Sequence, residues 1–385
     1  MNPILIKWAR EQAGLDVSEA ASALELSSSE KLTEIESGSK APSRPVLLRM
    51  AKTYRRPLLF FYLDKPPLIS DKGHDFRTLP VDRVIRDDFL VETLLRQIKA
   101  RQDLVKSLVV DEEESGSLPF VGSASLNESP LEISRSIQKT LGFNLADYRR
   151  CRSAGEAFDY IRNKTEEIGV FVLLVGNLGS HHTAISARTY RGFAIADEFA
   201  PFVVINDQDT KIAWAFTLLH ELAHIWLGQD GISGGYSDSQ IEKICNQIAS
   251  NILLPDEEVR HFNLEGLVGD DDLLDAISEF ARSRHLSVKM VAFRLLDLGK
   301  INRSSWNYID RKIDQSIFSD RENARAKKDG SSGPDFYVVR RHRLGNSIVN
   351  LVTRNLSSGS LTPVRAAKIL GVKPRSVTPL INRAA

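Results

Sequence analysis

The stretch Phe216 to Leu227, F-T-L-L-H-E-L-A-H-I-W-L, constrains this chain more than any other part of the sequence. It places His220 and His224 four residues apart inside an apolar run, and Glu221 directly follows the first histidine. Positions i and i+4 share one face of an α-helix, so both imidazoles can reach one metal ion. Glu221 is offset from His220 by about 100° and therefore lies beside such an ion rather than on it.

This spacing predicts a catalytic zinc site. Histidine nitrogens bind zinc at roughly 2.0–2.1 Å, and a catalytic site needs a third protein ligand and an open position for water. Zinc lowers the pKa of that water to about 7, and Glu221 can accept its proton as a general base. The alternative is that His220 and His224 are core histidines bonded to backbone carbonyls. Burying two histidines without partners is costly, which favours the metal site.

The third ligand must come from another part of the chain, because no glycine-then-histidine extension follows the motif. Glu242 is the natural candidate. It opens the amphipathic segment E-K-I-C-N-Q-I-A-S-N-I-L-L-P, which is predicted to be a helix stopped by Pro255. Glu242 can equally be an ordinary first-turn carboxylate at a helix N-terminus. Composition alone leaves both interpretations open.

The first 65 residues are predicted to form short helices separated by tight turns, which is the pattern of a helix-turn-helix domain. Ser27 and Glu30 have the spacing of a capping box, and a recognition helix is expected from about Ser28 to Ser37. Four of its residues are candidate contacts to bases or phosphates: Ser28, Ser29, Lys31 and Thr33. Glutamates on the same helix repel phosphates, so a helical module for docking a partner or for dimerisation is the alternative.

The middle of the chain predicts strands. Apolar runs near Ile168–Gly176, Gly192–Ala196 and Phe202–Ile205 precede the motif helix, and helices follow it. Helices, strands and helices in this order predict an α+β fold. A long amphipathic helix is expected from Asp87 to Val110, and the chain is again mostly helical after Asp270.

Composition limits the setting. No apolar run approaches the ~20 residues needed to cross a bilayer, so no membrane association is expected. The chain has 385 residues and only two cysteines, Cys151 and Cys245, which excludes a disulfide framework and favours the cytoplasm. A net charge of +1 argues neither for nor against nucleic acid.

The two motifs together resemble the ImmA/IrrE family of zinc metallopeptidases, in which an H-E-x-x-H helix is followed by E-x-x-A-N and a run ending in Leu-Leu-Pro. The resemblance implies a zincin-like domain with Zn²⁺ held by His220, His224 and Glu242, and Glu221 as the general base. The first 65 residues resemble the Xre-type helix-turn-helix that often precedes such peptidases. Cys245 stands where the family usually has alanine, and we interpret it as a packing residue rather than a ligand.

These observations predict four regions. They are a helix-turn-helix domain (1–65), a helical linker (66–125), a zinc metallopeptidase domain (126–305) and a C-terminal helical region of unassigned role (306–385). The resemblance implies that the protein cleaves a partner repressor and thereby controls genes for stress response or a mobile element. The alternative is a DNA-binding regulator or antitoxin-like protein in which the zinc domain is a sensor or scaffold. DNA is a possible partner through the N-terminal domain, and an oligomer is compatible with the sequence.

Several secondary expectations concern single segments. An extended substrate is expected to pair with a sheet edge near Phe202–Ile205. Tyr236 is a candidate to stabilise an oxyanion, and His181 and His182 are candidates to approach the site. The basic stretch around Arg340, Arg341 and Arg343 is expected to be a solvated surface.

Overall fold

The computed structural model describes residues 1–66, 85–111, 116–179, 183–229, 231–233, 240–326 and 335–382. The chain divides into two compact units. The first contains residues 1–100 and 177–189, and the second contains residues 101–176 and 190–385.

Short helices separated by tight turns form the start of the first unit. They are α1 (Pro3–Gln12), α2 (Val17–Ala23), α3 (Ser29–Glu36), α4 (Arg44–Thr53) and a 3₁₀ turn at Leu58–Tyr62. Arg10 of α1 and Glu36 of α3 form a bidentate ion pair of 2.7 and 3.0 Å, and both side chains are almost fully buried. This pair fixes α3 against α1.

The capping box expected at Ser27 and Glu30 is wrong. The N-cap of α3 is Ser28, and its side chain makes no capping bond to the helix backbone. A capping box is present one helix earlier, where the Asp16 carboxylate accepts from Glu19 N at 2.7 Å and Asp16 N donates to the Glu19 carboxylate at 3.1 Å. Asp16 therefore satisfies a free amide at the start of α2.

A small mixed sheet lies at the centre of the second unit. Its strands are β1 (Phe171–Leu174), β2 (Gly192–Ile195), β3 (Phe202–Ile205) and β4 (Gly231–Ser233), in the order β1-β3-β2-β4. β1 and β3 are parallel, and the other two pairings are antiparallel. Three strands were predicted from the sequence, whereas β4 was not.

This sheet order makes β3 an inner strand. Phe202 pairs with Phe171 of β1 on one side and with Ile195 of β2 on the other. The prediction that residues 202–205 form an exposed edge is therefore wrong, since their backbone groups are already engaged by two neighbours. Among the described strands, β1 and β4 are the outer ones.

Helices surround the sheet and share one core with it. They are α6 (Pro130–Leu141), α7 (Leu145–Arg150), α8 (Ala154–Glu167), α9 (Lys211–Trp226), α10 (Gln240–Leu253), α11 (Asp256–Arg260), α12 (Asp270–Arg282), α13 (Val288–Asp297) and α14 (Arg303–Ala326). A further helix, α5 (Ile85–Asp111), begins in the first unit and ends in the second. α9 contacts β2, β3, α8 and α10, so its apolar residues lie in the middle of the core. The α+β prediction is confirmed. No described helix combines the length and the apolar character required to cross a bilayer.

Residues 335–382 form a group of helices that packs against β1 and α8. They are α15 (Phe336–Leu344), α16 (Asn346–Ser357), α17 (Pro363–Leu370), a 3₁₀ turn at Pro374–Ser376 and α18 (Val377–Asn382). Glu166 of α8 accepts hydrogen bonds from the amides of Asn346 (2.9 Å) and Ser347 (3.1 Å). Arg162, one turn earlier, bonds to Glu166 and to the carbonyl of His342. This buried pair attaches α15 and α16 to α8.

The arginines of α15 are not a free solvated surface. Arg340 donates to the carbonyl of Leu370 at 2.7 and 3.1 Å, and Arg341 donates to that of Ile381 at 3.1 Å. Arg343 pairs with Asp207 at 2.6 Å. These three cations hold helix ends and a loop together, and their partners lie too far along the chain for the sequence to indicate them.

Candidate metal centre

The motif H-E-L-A-H occupies the last turns of α9, deep in the second unit. Apart from Lys211, Thr217 and this motif, α9 is made of apolar residues, and Gly228, with φ of +64°, follows its end. His220, Glu221 and His224 are 4%, 0% and 2% exposed. Helix geometry places the two histidines one turn apart, facing the neighbouring helix α10.

Glu242, in the first turn of α10, meets both histidines. Its Oε2 lies 3.2 Å from His220 Nε2, and its Oε1 lies 3.3 Å from His224 Nε2. The two Nε2 atoms are 3.2 Å apart. Among the described residues, His220, His224 and Glu242 are the group whose donor atoms converge closely enough to hold a metal ion.

The donor set fits zinc. Ligands at roughly 2.0–2.1 Å on the corners of a tetrahedron are separated by about 3.3–3.4 Å, close to the separations between these three donors. Two imidazoles and one carboxylate are also ligand types that catalytic zinc sites use, with the fourth corner left for water or substrate. Of the two interpretations of Glu242, the geometry favours the one in which its carboxylate faces the histidines.

The electrostatic environment of His220, His224 and Glu242 favours the presence of a cation among them. Burial raises the pKa of Glu242, but its hydrogen bonds with His220 and His224 outweigh burial and lower it to about 2. Burial lowers the pKa of His224, but contacts with Cys245 and Glu242 outweigh that effect and raise it to about 11. The cluster therefore holds a proton tightly, and a metal ion must compete with that proton for His224.

Cys245, one turn after Glu242, is fully buried and contacts the His224 ring. Burial raises the pKa of its thiol. Its sulfur is not part of the converging donor group among the described residues. This geometry agrees with the interpretation of Cys245 as a packing residue beside the centre.

Glu221 lies between α9 and the sheet, where Gly192 begins β2. A methyl group at Gly192 would lie 2.8 Å from Glu221 Oε1 and 2.7 Å from Thr217 Cγ2, both closer than real contacts allow. The missing side chain at Gly192 therefore leaves the space that the Glu221 carboxylate occupies. Gly192 was not predicted as a site residue; a glycine at the start of a buried strand was the available signal, because it often marks a close approach of another element.

Three of the four candidate DNA contacts lie on α3 in the first unit, and the fourth, Ser28, is the N-cap of that helix. Lys31 and Thr33 are exposed, whereas Ser28 and Ser29 are half-buried. The Thr33 hydroxyl donates to the Ser29 carbonyl at 3.2 Å, and Ser28 bonds to Glu30, which lowers the pKa of that carboxyl. Lys31 and Thr33 are therefore the more accessible pair. Tyr236, His181 and His182 lie outside the described residues.

Comparison with known families agrees with both parts of this arrangement. Residues 177–296 match the model of the IrrE N-terminal-like domain. That model describes a family of peptidases, and the matched range contains His220, Glu221, His224 and Glu242. Residues 4–58 match a helix-turn-helix domain, which spans α1 to α4. The family resemblance inferred from the two motifs is confirmed. No curated protein matches the chain.

Proposed function

We propose that this protein is a zinc metalloendopeptidase that cleaves a partner repressor and so controls gene expression. The observation that carries the proposal is the convergence of His220, His224 and Glu242, at separations suited to zinc, beside the buried Glu221. The IrrE N-terminal-like domain supports a peptidase, and the helix-turn-helix domain supports a role in transcription.

Each residue has a role in this proposal. His220, His224 and Glu242 hold the ion, and their donor set of two neutral imidazoles and one carboxylate leaves one positive charge on the centre. Zinc, when bound, supplies a Lewis acid that activates water at neutral pH. Glu221 accepts the proton from the attacking water and delivers it to the leaving amine. Glu221 is fully buried and lies against the start of β2.

The substrate in this proposal is an extended protein segment. Such a segment can add a strand to a sheet edge and gain backbone hydrogen bonds. β4 is an outer strand of the sheet, and its neighbour β2 begins at Gly192, next to Glu221. We therefore expect the scissile segment to lie along β4. We expect this cleavage to take place in the cytoplasm.

The test replaces Glu221 by glutamine, which keeps the size of the side chain and removes its basicity. Cells producing the wild-type chain or E221Q are compared by mass spectrometry of protein N-termini. We expect a new terminus within a DNA-binding protein in wild-type cells that is absent with E221Q, while elemental analysis finds equal zinc in both. The exposed Glu265→Gln is the matched control and keeps cleavage. An equal yield of that terminus with E221Q contradicts the role of Glu221.

A second function is favoured by the helix-turn-helix match at residues 4–58. In this alternative the protein is a DNA-binding regulator or antitoxin-like protein, and the metal centre is a sensor or scaffold. A gel-shift assay on the DNA upstream of its own gene distinguishes the two. Tight, sequence-selective and salt-sensitive binding by E221Q, together with no difference in protein termini between E221Q and wild type, favours the alternative.

A further inference from the structure

The charge of the chain is distributed unevenly along its length. Residues 336–385 contain no aspartate or glutamate. Their basic residues number nine, namely Arg340, Arg341, Arg343, Arg354, Arg365, Lys368, Lys373, Arg375 and Arg383. The whole chain has 51 basic and 50 acidic residues, so everything before Phe336 is net acidic. The net charge of the whole chain is therefore near zero because a strongly basic C-terminal group of helices balances the acidic remainder.

Part of this charge has a structural use. Arg340 and Arg341 bind backbone carbonyls, and Arg343 pairs with Asp207. Arg365, Lys368, Lys373 and Arg375 differ from them. All four are exposed, and none forms an ion pair with any residue that the structure describes. We call these four residues the basic patch.

The basic patch lies on two helical segments joined by a tight turn. α17 ends at Leu370, the turn is Gly371 to Lys373 with Gly371 at φ of +60°, and helical structure resumes at Pro374 and continues to Asn382. The inward faces of the two segments are apolar and buried: Ala366, Ala367, Ile369, Leu370, Val377 and Leu380. Two helices joined by about three residues with a glycine have the form of a helix-turn-helix.

The outward face of the second segment is polar. Arg375, Thr378 and Asn382 recur at helical spacing and are all exposed. Arginine, threonine and asparagine are residue types that bind phosphates and base edges in DNA grooves. Arg365 and Lys368 are three residues apart on α17, so they share a face of the first helix. In a helix-turn-helix, the first helix crosses the phosphate backbone and the second enters the major groove.

We propose that residues 336–382 form a second DNA-binding module, in which the basic patch contacts phosphates and the segment Pro374–Asn382 enters the major groove. The module is separate from the N-terminal helix-turn-helix and does not depend on peptidase activity. Double-stranded DNA is favoured over an anionic membrane because the outward faces of both segments offer little apolar surface to insert into lipid. Val364 is the large apolar side chain exposed on α17.

The test measures binding of the full-length protein to a fluorescent 20-base-pair DNA duplex of arbitrary sequence, over a range of salt concentrations. The variant Arg365→Glu/Lys368→Glu removes two phosphate contacts. The variant Arg135→Glu/Lys139→Glu is the matched control, because it makes the same change of charge at two exposed, unpaired residues of α6 among those described. Both variants keep the N-terminal domain, so its contribution to binding is common to them.

Each phosphate contact contributes about 0.9 to the slope of log K against log salt. We expect Arg365→Glu/Lys368→Glu to reduce this slope by about 2 and to weaken binding by at least ~10-fold near 0.1 M salt. The control should change the slope by less than about 0.5. If the glutamate variant fails to fold by circular dichroism, Arg365→Gln/Lys368→Gln replaces it, with the same expected loss of slope.

Two results overturn the proposal. The first is equal binding by the two charge variants, which would assign all DNA affinity to other parts of the chain. The second is unchanged DNA binding together with lost binding to vesicles that contain phosphatidylserine, which would assign the basic patch to a membrane surface. Loss of DNA binding with no affinity for the vesicles in the wild type supports the module.

Discussion

Gly192 and Glu221 show how a residue with no functional group can determine the position of one that has it. The Glu221 carboxylate fits only because Gly192 has no side chain. Interiors are closely packed, so a group of the size of a methyl cannot be added there without moving a neighbour. Of the two side chains, Glu221 is the more able to move. Thr217 is branched at Cβ, which restricts its χ1 rotamers, whereas the Glu221 carboxylate lies at the end of a flexible side chain.

We predict that Gly192→Ala lowers kcat for the proposed cleavage by at least ~10-fold, because general-base catalysis typically contributes 10²–10⁴-fold and depends on position. Zinc content should stay unchanged, since the three ligands do not contact Gly192. Kinetics on a cleaved substrate and elemental analysis provide the two measurements. Gly155→Ala is the control, because a methyl group there meets nothing closer than 3.7 Å. Equal kcat in both variants would exclude a positioning role.

For single residues, the sequence predicted the site correctly where the arrangement of the side chains follows from their spacing along one helix. His220, Glu221 and His224 lie within five residues, so helix geometry alone predicts their arrangement. The contact between Glu242 and the histidines depends on how α10 packs on α9, and the spacing of residues left it open. The effect of Gly192 depends on how β2 approaches α9, and no local pattern contains that information.

The loop between β2 and β3 shows how one carboxylate stabilises a connection between elements. Asp197 Oδ1 accepts hydrogen bonds from the amides of Phe199 and Ala200, each at 3.0 Å. Its Oδ2 pairs with Lys106 of α5 at 2.7 Å. Burial raises the pKa of Asp197, but these bonds outweigh burial and lower it. The folded state therefore favours the ionised carboxylate.

A lowered carboxyl pKa contributes stability above the unfolded value of about 3.9, and this contribution is lost as the pH falls through the folded value. We predict that Asp197→Asn reduces the free energy of unfolding at pH 7 by about 1–2 kcal/mol, as expected for charged hydrogen bonds. The deficit should shrink as the pH falls below about 4. Urea unfolding measured between pH 3 and 7 tests this, with the exposed Asp275→Asn as control. A deficit independent of pH would show that ionisation of Asp197 is not the cause.

The elements themselves were largely predictable. Apolar periodicity predicted β1, β2, β3, α9 and α10 to within a few residues, because buried strands and helices need continuous apolar faces. β4 was missed because three residues, Gly231–Ser233, carry no period of their own and become a strand only by pairing with β2. The start of α3 was misplaced by one residue because several serines precede it, and each can serve as an N-cap.

At the scale of the whole molecule, the proposed zinc should act on one unit only. A ligand that binds the native state stabilises it by about 4 kcal/mol when present at 1,000 times its Kd. All three ligands lie in the second unit. We predict that a chelator accelerates amide hydrogen exchange in α9 and α10 by at least ~100-fold while α1 to α4 remain unchanged, as measured by mass spectrometry.

Glu242→Gln provides the control for this prediction, since it removes the anionic ligand while keeping the side chain in place. Its exchange in α9 and α10 should already be fast and should respond little to the chelator. Faster exchange in α1 to α4 as well, or no change in α9 and α10, would contradict a metal confined to this cluster.

The attachment of α15 and α16 to α8 has a consequence for shortened versions of this protein. Arg162 and Glu166 are buried, and most of their hydrogen-bond partners lie in the final helices, namely His342, Arg343, Asn346 and Ser347. A truncated polypeptide ending near residue 305 would retain the ion pair but lose those partners, and it would uncover β1. Breaking up a buried polar network costs several kcal/mol. Such a fragment should be recovered from inclusion bodies, so residues 126–305 and the final helices must be expressed as one piece.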